Sequence, residues 1–390
     1  METLAYINSL NCKDLNFIKT CLYKNSILAN YSKDGRMVLY ASKNNRFILN
    51  TPMTAECNGL VIDVNNLKIL AMPPSRFISN VDSNIVAPHL SNNIYDIYLV
   101  DDGTVISMYY WEPLKKWVIS TTRSHDNTNA KWGDYTYSEV INDLLGTNVV
   151  DFYNSLDKNT SYTFGIKHAS MHPFREGGPD PINKIWFIQS YNGTVSYTFD
   201  NSFGINPQIK VRYPNNLQTI FANLKYSLPD YMNNGSVLYG YILRSNNPLK
   251  TGYYSNIILE SSLLQKIRHM CYNSIINNTA TAKAYNRELY MIISAFLNIN
   301  VRALFIELFP HYIEQYDAIA TAIESLISDT IGYVDNPSSL CESDENYEYV
   351  KNIYKSISTL EPLNANNRAM ISLEICNVKY SDVIYQMLSE

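Results

Sequence analysis

A strand-like run, a short acidic turn and a second strand-like run constrain the fold of this chain more than any other segment. Residues 96–99 read Asp-Ile-Tyr-Leu and residues 104–111 read Thr-Val-Ile-Ser-Met-Tyr-Tyr-Trp, with Asp-Asp-Gly between them after Val100. β-Branched and aromatic residues favour strands, and an Asp-Gly pair between two such runs favours a tight turn. The segment therefore predicts a β-hairpin within one sheet.

The same alternation of strand-like runs and turn residues continues to about residue 260. Strand-like runs occupy residues 59–64, 184–189, 193–197 and 236–243. The pairs Asn65-Asn66 and Asn192-Gly193 predict hairpin turns, and apolar residues recur with helical spacing over 4–22 and 137–145. These patterns predict an α+β domain dominated by antiparallel sheet over residues 1–260.

The pattern changes after about residue 260, where apolar residues recur at intervals of three and four and glycine nearly disappears. The recurring positions include Leu263 and Ile267, Met291 to Phe296, and Ile313, Tyr316, Ile319 and Ala322. Gly332 is the only glycine after Gly252, and Pro310 is predicted to begin or precede a helix. Residues 261–390 are therefore predicted to form an all-α C-terminal domain.

Charge and composition limit the partners of the chain. The 31 Lys and Arg residues are outnumbered by 36 Asp and Glu residues, so the formal net charge is −5. Phosphate neutralisation supplies most non-specific affinity for nucleic acids, so RNA binding would need a local basic face. The 32 tyrosines have two interpretations. They reflect AT-rich coding, as in many viruses, cytoplasmic plasmids and endosymbionts, or they provide platforms on which bases stack.

Cysteine spacing and the first residues bear on the compartment. The six cysteines include no CxxC pair, so the sequence indicates neither a zinc site nor a redox motif. The segment Met1 to Ala5 lacks a basic region followed by a long apolar run, and no stretch approaches ~18 apolar residues. We therefore expect a cytoplasmic protein with reduced thiols and no membrane partner.

Several segments, collinear along the chain, resemble the phage-type ATP-dependent RNA ligases, the tRNA-repair members of the covalent nucleotidyltransferase superfamily. Residues 100–104 resemble the family's Lys-x-Asp-Gly-Ser/Thr turn, residues 56–63 its Glu-Cys-Arg-Gly-aliphatic segment, and residues 71–77 its Arg-Pro-x-x-Lys-Phe segment. Residues 309–316 resemble a Phe-Pro-x-Tyr-x-Glu-x-Tyr helix start in the family's C-terminal domain, which contributes to tRNA preference. The resemblance implies a nucleotidyltransferase-like domain followed by the helical domain.

The resemblance also implies that the residues of nucleotidyl transfer have been replaced. Val100 stands where the family has its nucleophilic lysine, Gly165 where it has the ribose-binding glutamate, Tyr239 where it has a metal-binding glutamate, and Ile258 and Glu260 where it has two lysines at the α-phosphate. Valine cannot form a phosphoramidate, and a glutamate at the α-phosphate would repel a triphosphate. The five substitutions predict no catalytic residue, no metal site and no cofactor.

Cations and histidines elsewhere are the candidates for contacts with phosphate or RNA. They are Arg76, Arg123, Lys167, His168, His172, Arg175, Lys266 and Arg268. Arg76 stands where the resembling family has a phosphate-binding lysine, and a guanidinium binds phosphate in a bidentate manner. The loop 167–181 is interpreted as a contact to phosphate or an RNA end, as a histidine pair for metal-free RNA cleavage, or as a structured insertion with surface histidines. Lys266 and Arg268 belong either to an RNA-binding helix face or to a solvated one.

Three functional hypotheses stay open. The first is a catalytically inactive RNA ligase-like protein that binds RNA, either tRNA or broken tRNA ends, and shields tRNA from an anticodon nuclease in an immunity role. The second is an active RNA ligase with a relocated nucleophile, for which Lys115, Lys116 and Lys167 are the candidates and ATP and Mg²⁺ the requirements. The third is a structural or inhibitory module that binds another protein, such as a nuclease toxin, and the net negative charge favours it.

Overall fold

The computed structural model of the chain describes residues 1–12, 14–42, 51–79, 95–100, 103–132, 135–146, 149–168, 183–199, 203–208, 210–211, 232–233, 236–237, 240–245, 256–260, 287–298, 302–340, 347–358, 368–375 and 380–389. The chain divides into two compact units. Unit 1 comprises Met1–His172, Pro181–Asn234 and Leu238–Ser261, and unit 2 comprises Pro173–Asp180, Gly235–Val237 and Ser262–Glu390.

Short strands dominate unit 1. The strands of the chain are β1 (Ile27–Tyr31), β2 (Arg36–Ala41), β3 (Asn58–Asp63), β4 (Lys68–Ala71), β5 (Ile78–Ser79), β6 (Tyr95–Leu99), β7 (Thr104–Trp111), β8 (Lys116–Ser120), β9 (Lys131–Trp132), β10 (Tyr135–Thr136), β11 (Ser161–Lys167), β12 (Lys184–Tyr191), β13 (Val195–Ser196), β14 (Asn206–Pro207), β15 (Lys210–Val211), β16 (Met232–Asn233), β17 (Ser236–Val237), β18 (Gly240–Ser245) and β19 (Asn256–Glu260). Turns join β3 to β4 and β12 to β13, so the predicted hairpin turns at Asn65-Asn66 and Asn192-Gly193 are confirmed.

Three larger sheets organise unit 1. The first sheet has the strand order β1-β2-β3-β4 and is antiparallel throughout. The second sheet has the order β13-β12-β11-β7-β8, and β14 pairs with β12 in parallel. The third sheet has the order β15-β6-β18-β19-β5, in which only β5 and β19 are parallel among the described pairs. The predicted antiparallel character of the first domain is therefore confirmed for these sheets.

The hairpin predicted over residues 96–111 is wrong, although both of its strands exist. β6 pairs with β18 and β15 in the third sheet, whereas β7 pairs with β11 and β8 in the second. The backbone N–H of Val100 donates to the carbonyl oxygen of Gly240 (3.0 Å), so this residue is still bonded to the third sheet. The Asp-Gly segment therefore joins two sheets, and the separation of the sheets opens a space between them.

Helices flank the sheets of unit 1 and make up most of the described part of unit 2. They are α1 (Glu2–Ser9), α2 (Leu15–Lys24), α3 (Pro52–Glu56), α4 (Tyr137–Leu145), α5 (Val149–Ser155), α6 (Arg287–Leu297), α7 (Arg302–Leu308), α8 (Ile313–Asp335), α9 (Tyr347–Ser358), α10 (Arg368–Ile375) and α11 (Ser381–Ser389). The predicted helix over 137–145 is confirmed, because Thr136 and Glu139 form a capping box at its start. The helical spacing over 4–22 is interrupted, because the Asp14 side chain accepts a hydrogen bond from the Asn16 N–H and caps a second helix.

The second sheet has one apolar face and one face that borders the space between the sheets. On the apolar face, Phe164 packs edge-on against Phe152 of α5, within a buried cluster that also includes residues of α4. Strand side chains alternate between the two faces, so the opposite face carries Val105, Gly165 and Trp186. These three residues are neighbours in register across β7, β11 and β12.

Helix α8 organises the described part of unit 2, where it packs against α6, α9, α10 and α11. Tyr316 stacks on Phe296 of α6, and its hydroxyl donates to the carbonyl oxygen of Phe309 (2.9 Å). Pro310 begins a 3₁₀ turn, Pro310–Tyr312, directly ahead of α8, as predicted. Within the described residues, every helix is too short or too polar to span a membrane.

Candidate functional site

A pocket opens between the second and third sheets of unit 1. It is lined by Asn58, Gly59, Pro73, Pro74, Phe77, Gly103, Val105, Ser107, Thr121, Thr122, Trp186, Ile188, Gln208, Ile242 and Arg244. The space measures about 780 Å³ including its open mouth. None of these described lining residues is acidic, and Arg244 is the one cation among them.

The indole of Trp186 closes one side of the pocket by lying across two glycines. Trp186 is 3% exposed and is the register partner of Gly165 across β11 and β12. A Cβ atom added to Gly165 would lie within 3.0 Å of the indole, and a Cβ atom added to Gly103 would also do so. The ring therefore occupies the volume that any side chain at residue 165 would need, where the resemblance places the ribose-binding glutamate.

The other positions that the resemblance links to the α-phosphate lie near one row across the third sheet. Val100 is bonded through its backbone to Gly240, and Gly240 is the register partner of Glu260 on β19. Ile258 lies two residues before Glu260 on the same strand. Val100 is 6% exposed, and the described pocket lining contains no lysine. Tyr239 lies outside the described residues.

Two side-chain amides fix the segment between β4 and β5, which supplies one wall of the pocket. The Nδ2 atom of Asn58 donates to the carbonyl oxygen of Pro74 (3.0 Å). The Nε2 atom of Gln189, a buried residue, donates to the carbonyl oxygen of Met72 (2.9 Å). These bonds satisfy backbone acceptors in a segment without regular structure, so they hold the wall in place.

A buried arginine fixes the loop after β8, which supplies another part of the lining. Arg36 is 5% exposed, and its Nε and Nη2 atoms donate to the carboxylate of Asp34. Its Nη1 atom donates to the Tyr109 hydroxyl and to Asp126, both at 3.2 Å. The Tyr109 hydroxyl donates in turn to the carbonyl oxygen of His125 (2.7 Å). The network therefore ties β2 and β7 to this loop.

The Arg36 network also shifts the pKa values of its acids. Burial by itself would raise the pKa of Asp34, but hydrogen bonds from Arg36 and Ser32 outweigh it and hold that pKa at about 2. The pKa of Asp126 is lowered as well, because hydrogen bonds from Thr128 and Arg36 outweigh the effect of burial. Both carboxylates are therefore charged at neutral pH, and they stabilise the fold in that form.

Arg244 lines the pocket from β18, and no sequence motif marks it. The residue is 4% exposed, and its Nη2 atom donates to Oε1 of Gln208 (2.7 Å). The Gln208 amide donates to the carbonyl oxygen of Leu99 (2.9 Å), which fixes its orientation. Burial lowers the pKa of Arg244, although a guanidinium stays charged in proteins. The signal available in the sequence is a single cation near the end of an apolar strand.

Two predicted phosphate-binding residues lie next to lining residues in the chain. Arg76 stands between Pro74 and Phe77 and is partly exposed. Arg123 directly follows Thr122 and is exposed. The pocket thus has one buried cation in its lining and two accessible cations on segments that contribute to its walls.

The other predicted contacts are less closely connected with the pocket. Lys167 ends β11 on the same face as Gly165 and is not a lining residue. His168 is 5% exposed, and its Nε2 atom lies 2.8 Å from Oδ2 of Asp143, so a buried histidine is paired with an exposed carboxylate. The predicted contacts outside the described residues are His172, Arg175, Lys266 and Arg268.

The described residues do not fit a magnesium ion in the pocket. Mg²⁺ is bound through oxygen ligands, and carboxylates carry most of the affinity. The described lining contains no carboxylate. Elsewhere in the described chain, no group of three or more His, Cys, Asp or Glu residues is arranged to hold a metal.

Comparison with known proteins identifies a viral family. No protein-family model matches the chain. A protein of African swine fever virus named "Putative RNA-ligase", from a Malawi tick isolate, is 29% identical over 362 residues, covering 83% of this chain and 79% of that protein. Proteins of the same name from the Pretoriuskop tick isolate and the Badajoz strain are each 30% identical, covering 71% and 70% of this chain and 67% of each relative. The chain belongs to the family of these viral proteins.

Solved structures give a weaker similarity. An archaeal ATP-dependent RNA ligase aligns in two forms, with TM-scores of 0.41 and 0.42 at 9% and 10% identity. The alignments cover 77% and 80% of this chain and 78% and 79% of the ligase chains. Scores of this size do not by themselves define a shared fold.

Proposed function

We propose that this chain is an RNA ligase-like protein that binds RNA, either tRNA or broken tRNA ends, and does not transfer nucleotides. One observation carries the proposal: Trp186 lies across Gly165 in the pocket of a chain whose viral relatives are named as RNA ligases. The nucleotide-binding glutamate of the resembling ligases has no room at this position. Tryptophan and glycine fit each other here, so the replacement is built into the packing.

The surrounding chemistry supports the same proposal. Covalent nucleotidyl transfer needs an amine nucleophile and positive charge or metal at the α-phosphate. Val100 supplies no nucleophile, Ile258 supplies no charge, and the described lining has no carboxylate for a metal. Loss of the reaction leaves a protein that keeps a pocket and adjacent cations, which suits binding rather than turnover.

The lysines considered as relocated nucleophiles are poorly placed for the alternative of an active ligase. Lys115 and Lys116 follow Trp111, which is about 20 Å along β7 from Val105 in the pocket lining. Lys167 lies at the end of β11 and is not a lining residue of the pocket. An active ligase would therefore need a conformation in which one of these side chains reaches the pocket.

The names of the relatives and the cations beside the pocket support RNA as the partner. Arg76 and Arg123 belong to segments that supply lining residues, and guanidinium groups bind phosphates in a bidentate manner. A protein that holds tRNA or its broken ends without resealing them would protect the anticodon loop from a nuclease. An immunity role of this kind requires only binding.

The proposal is tested by a gel shift with tRNA and with tRNA cleaved in its anticodon loop, at low salt. We expect both RNAs to bind, with an affinity that falls steeply as salt rises, because phosphate contacts release counterions. The double variant R76Q/R123Q is expected to weaken binding about tenfold or more. A control variant, R368Q, removes an exposed cation of α10 that pairs with Glu324. Absence of any shift at low salt with the unmodified chain would refute RNA binding.

A further inference from the structure

Arg244 is a buried cation that no carboxylate among the described residues neutralises. Within the described part of the chain, its Nε and Nη1 atoms have no hydrogen-bond partner, and its Nη2 atom bonds only to the neutral Gln208. Asp96 is its register partner across β6 and β18, but that carboxylate binds Lys210 instead (2.8 Å). Burying an unpaired charge is costly, so a protein that retains one has a use for the charge that its own side chains do not meet.

The guanidinium of Arg244 is held in a fixed orientation by its neighbours. It lies over the ring of Tyr98, with 4.8 Å between Cζ and the ring centroid, and 5.6 Å from the ring centroid of Tyr197. Gln208 fixes a third side, so the group is oriented before any ligand arrives. A guanidinium carries five N–H donors. A guanidinium has two edges with a pair of parallel N–H groups, Nε with Nη2 and Nη1 with Nη2. Gln208 uses one N–H of Nη2, so at least one of these paired-donor edges keeps both of its donors.

We propose that Arg244 binds a phosphate monoester that enters this pocket at the end of an RNA chain. A complete guanidinium edge matches two phosphate oxygens, and no acidic residue in the described lining would repel them. The apolar part of the lining, including Phe77 and Ile242, suits the nucleoside attached to the phosphate. RNA as the carrier rests on the proposed function, whereas the phosphate site itself does not.

The proposed phosphate site is not the place where the resembling ligases hold the α-phosphate. That place corresponds to the row of Val100, Gly240 and Glu260. Arg244 lies four residues further along β18 from Gly240, which is about 13 Å in an extended strand. The pocket of this chain would therefore receive its anion at the other end of the same strand.

The site is tested with short RNAs that differ only at their ends. One 12-residue RNA carries a 5′-phosphate, a second carries a 3′-phosphate, and a third carries hydroxyl groups at both ends. We expect one phosphorylated RNA to bind about ten- to a hundredfold more tightly than the hydroxyl form, and this preference to vanish in R244M. R368M, which loses an exposed cation in unit 2, should keep the preference. AMP and inorganic phosphate, added as competitors, show whether a free monoester occupies the site.

Thermal unfolding separates a ligand-binding arginine from a structural one. Removal of an unpaired buried charge should leave the melting temperature of R244M equal to or above that of the unmodified protein. Inorganic phosphate should raise the melting temperature of the unmodified protein and not that of R244M. If R244M fails to fold, R244K provides the variant for binding, since lysine keeps the charge without the paired-donor edge and should lose most of the preference.

The outcomes distinguish this inference from the proposed function. Equal affinity for all three RNAs, or a preference that survives in R244M or R244K, would overturn the phosphate site while leaving RNA binding intact. Binding of AMP or phosphate that depends on Arg244, together with no RNA binding, would support the phosphate site and refute RNA as its carrier.

Discussion

A G165E substitution is expected to lower the free energy of unfolding by about 3 kcal/mol or more, because it places a charged side chain in the volume of the Trp186 indole. Gly165 of β11 has a register partner on each side, Val105 of β7 and Trp186 of β12, so its backbone cannot move away without breaking the second sheet. Urea unfolding followed by far-ultraviolet circular dichroism measures the effect. This probe does not depend on tryptophan fluorescence, which matters for the companion variant.

The companion variant W186A tests whether the steric conflict is specific. W186A alone is expected to cost about 3 kcal/mol, because it removes a large buried side chain. The double variant G165E/W186A should cost about 1–3 kcal/mol less than the sum of the two single variants. V105E, which adds the same charge at a 40% exposed neighbour on the same sheet face, should cost less than about 1 kcal/mol. Additive effects in the double variant would mean that Trp186 does not fill the space at residue 165.

An R36M substitution is expected to lower the free energy of unfolding by about 3 kcal/mol, because it leaves two acids without their buried partner. The pH dependence provides a second readout. The folded-state pKa of Asp34 is about 2, below that of the unfolded chain. Its contribution is therefore fully present above about pH 4 and is lost as the pH falls toward 2. R36M should flatten this part of the stability profile.

Lys116 provides the control for Arg36 within the same network. Its Nζ atom lies 4.0 Å from the Asp126 carboxylate, and its side chain is 42% exposed. K116M should therefore change stability by less than about 1 kcal/mol, as expected for an exposed ion pair. Equal losses in K116M and R36M, or an acid limb that R36M does not alter, would contradict the role assigned to the buried guanidinium.

Local features of the fold were predictable wherever a short segment determines the structure. The capping box of Thr136 and Glu139 defines the start of α4, and the strand character of 104–111 is evident from its residue types. Strand pairing was not predictable, because it depends on distant segments. The Asp-Gly turn has the local pattern of a hairpin, yet β6 finds its partner in β18 and β7 finds its partner in β11. Pairing between strands that lie more than fifty residues apart in the sequence therefore outweighs the local preference of the Asp-Gly turn for a hairpin.

The candidate site was predictable only in part. The resemblance drew attention to Gly165 and Val100, but it could not show that the indole of Trp186 covers the glycine, since this requires the register of β11 and β12. Arg244 was not predicted as a site residue, because a lone arginine on an apolar strand is typical of a solvated sheet edge. Its burial and its missing partners emerge only when the third sheet is assembled.

The central claim, a ligase-like pocket that no longer forms a covalent nucleotide bond, is tested most directly by intact-protein mass spectrometry. The chain is incubated with ATP and Mg²⁺ and denatured, and an active ATP-dependent RNA ligase is treated in parallel. We predict that the mass of this chain stays unchanged while the active ligase gains one AMP. A gain of one AMP on this chain, localised to a lysine by peptide mapping, would contradict the account.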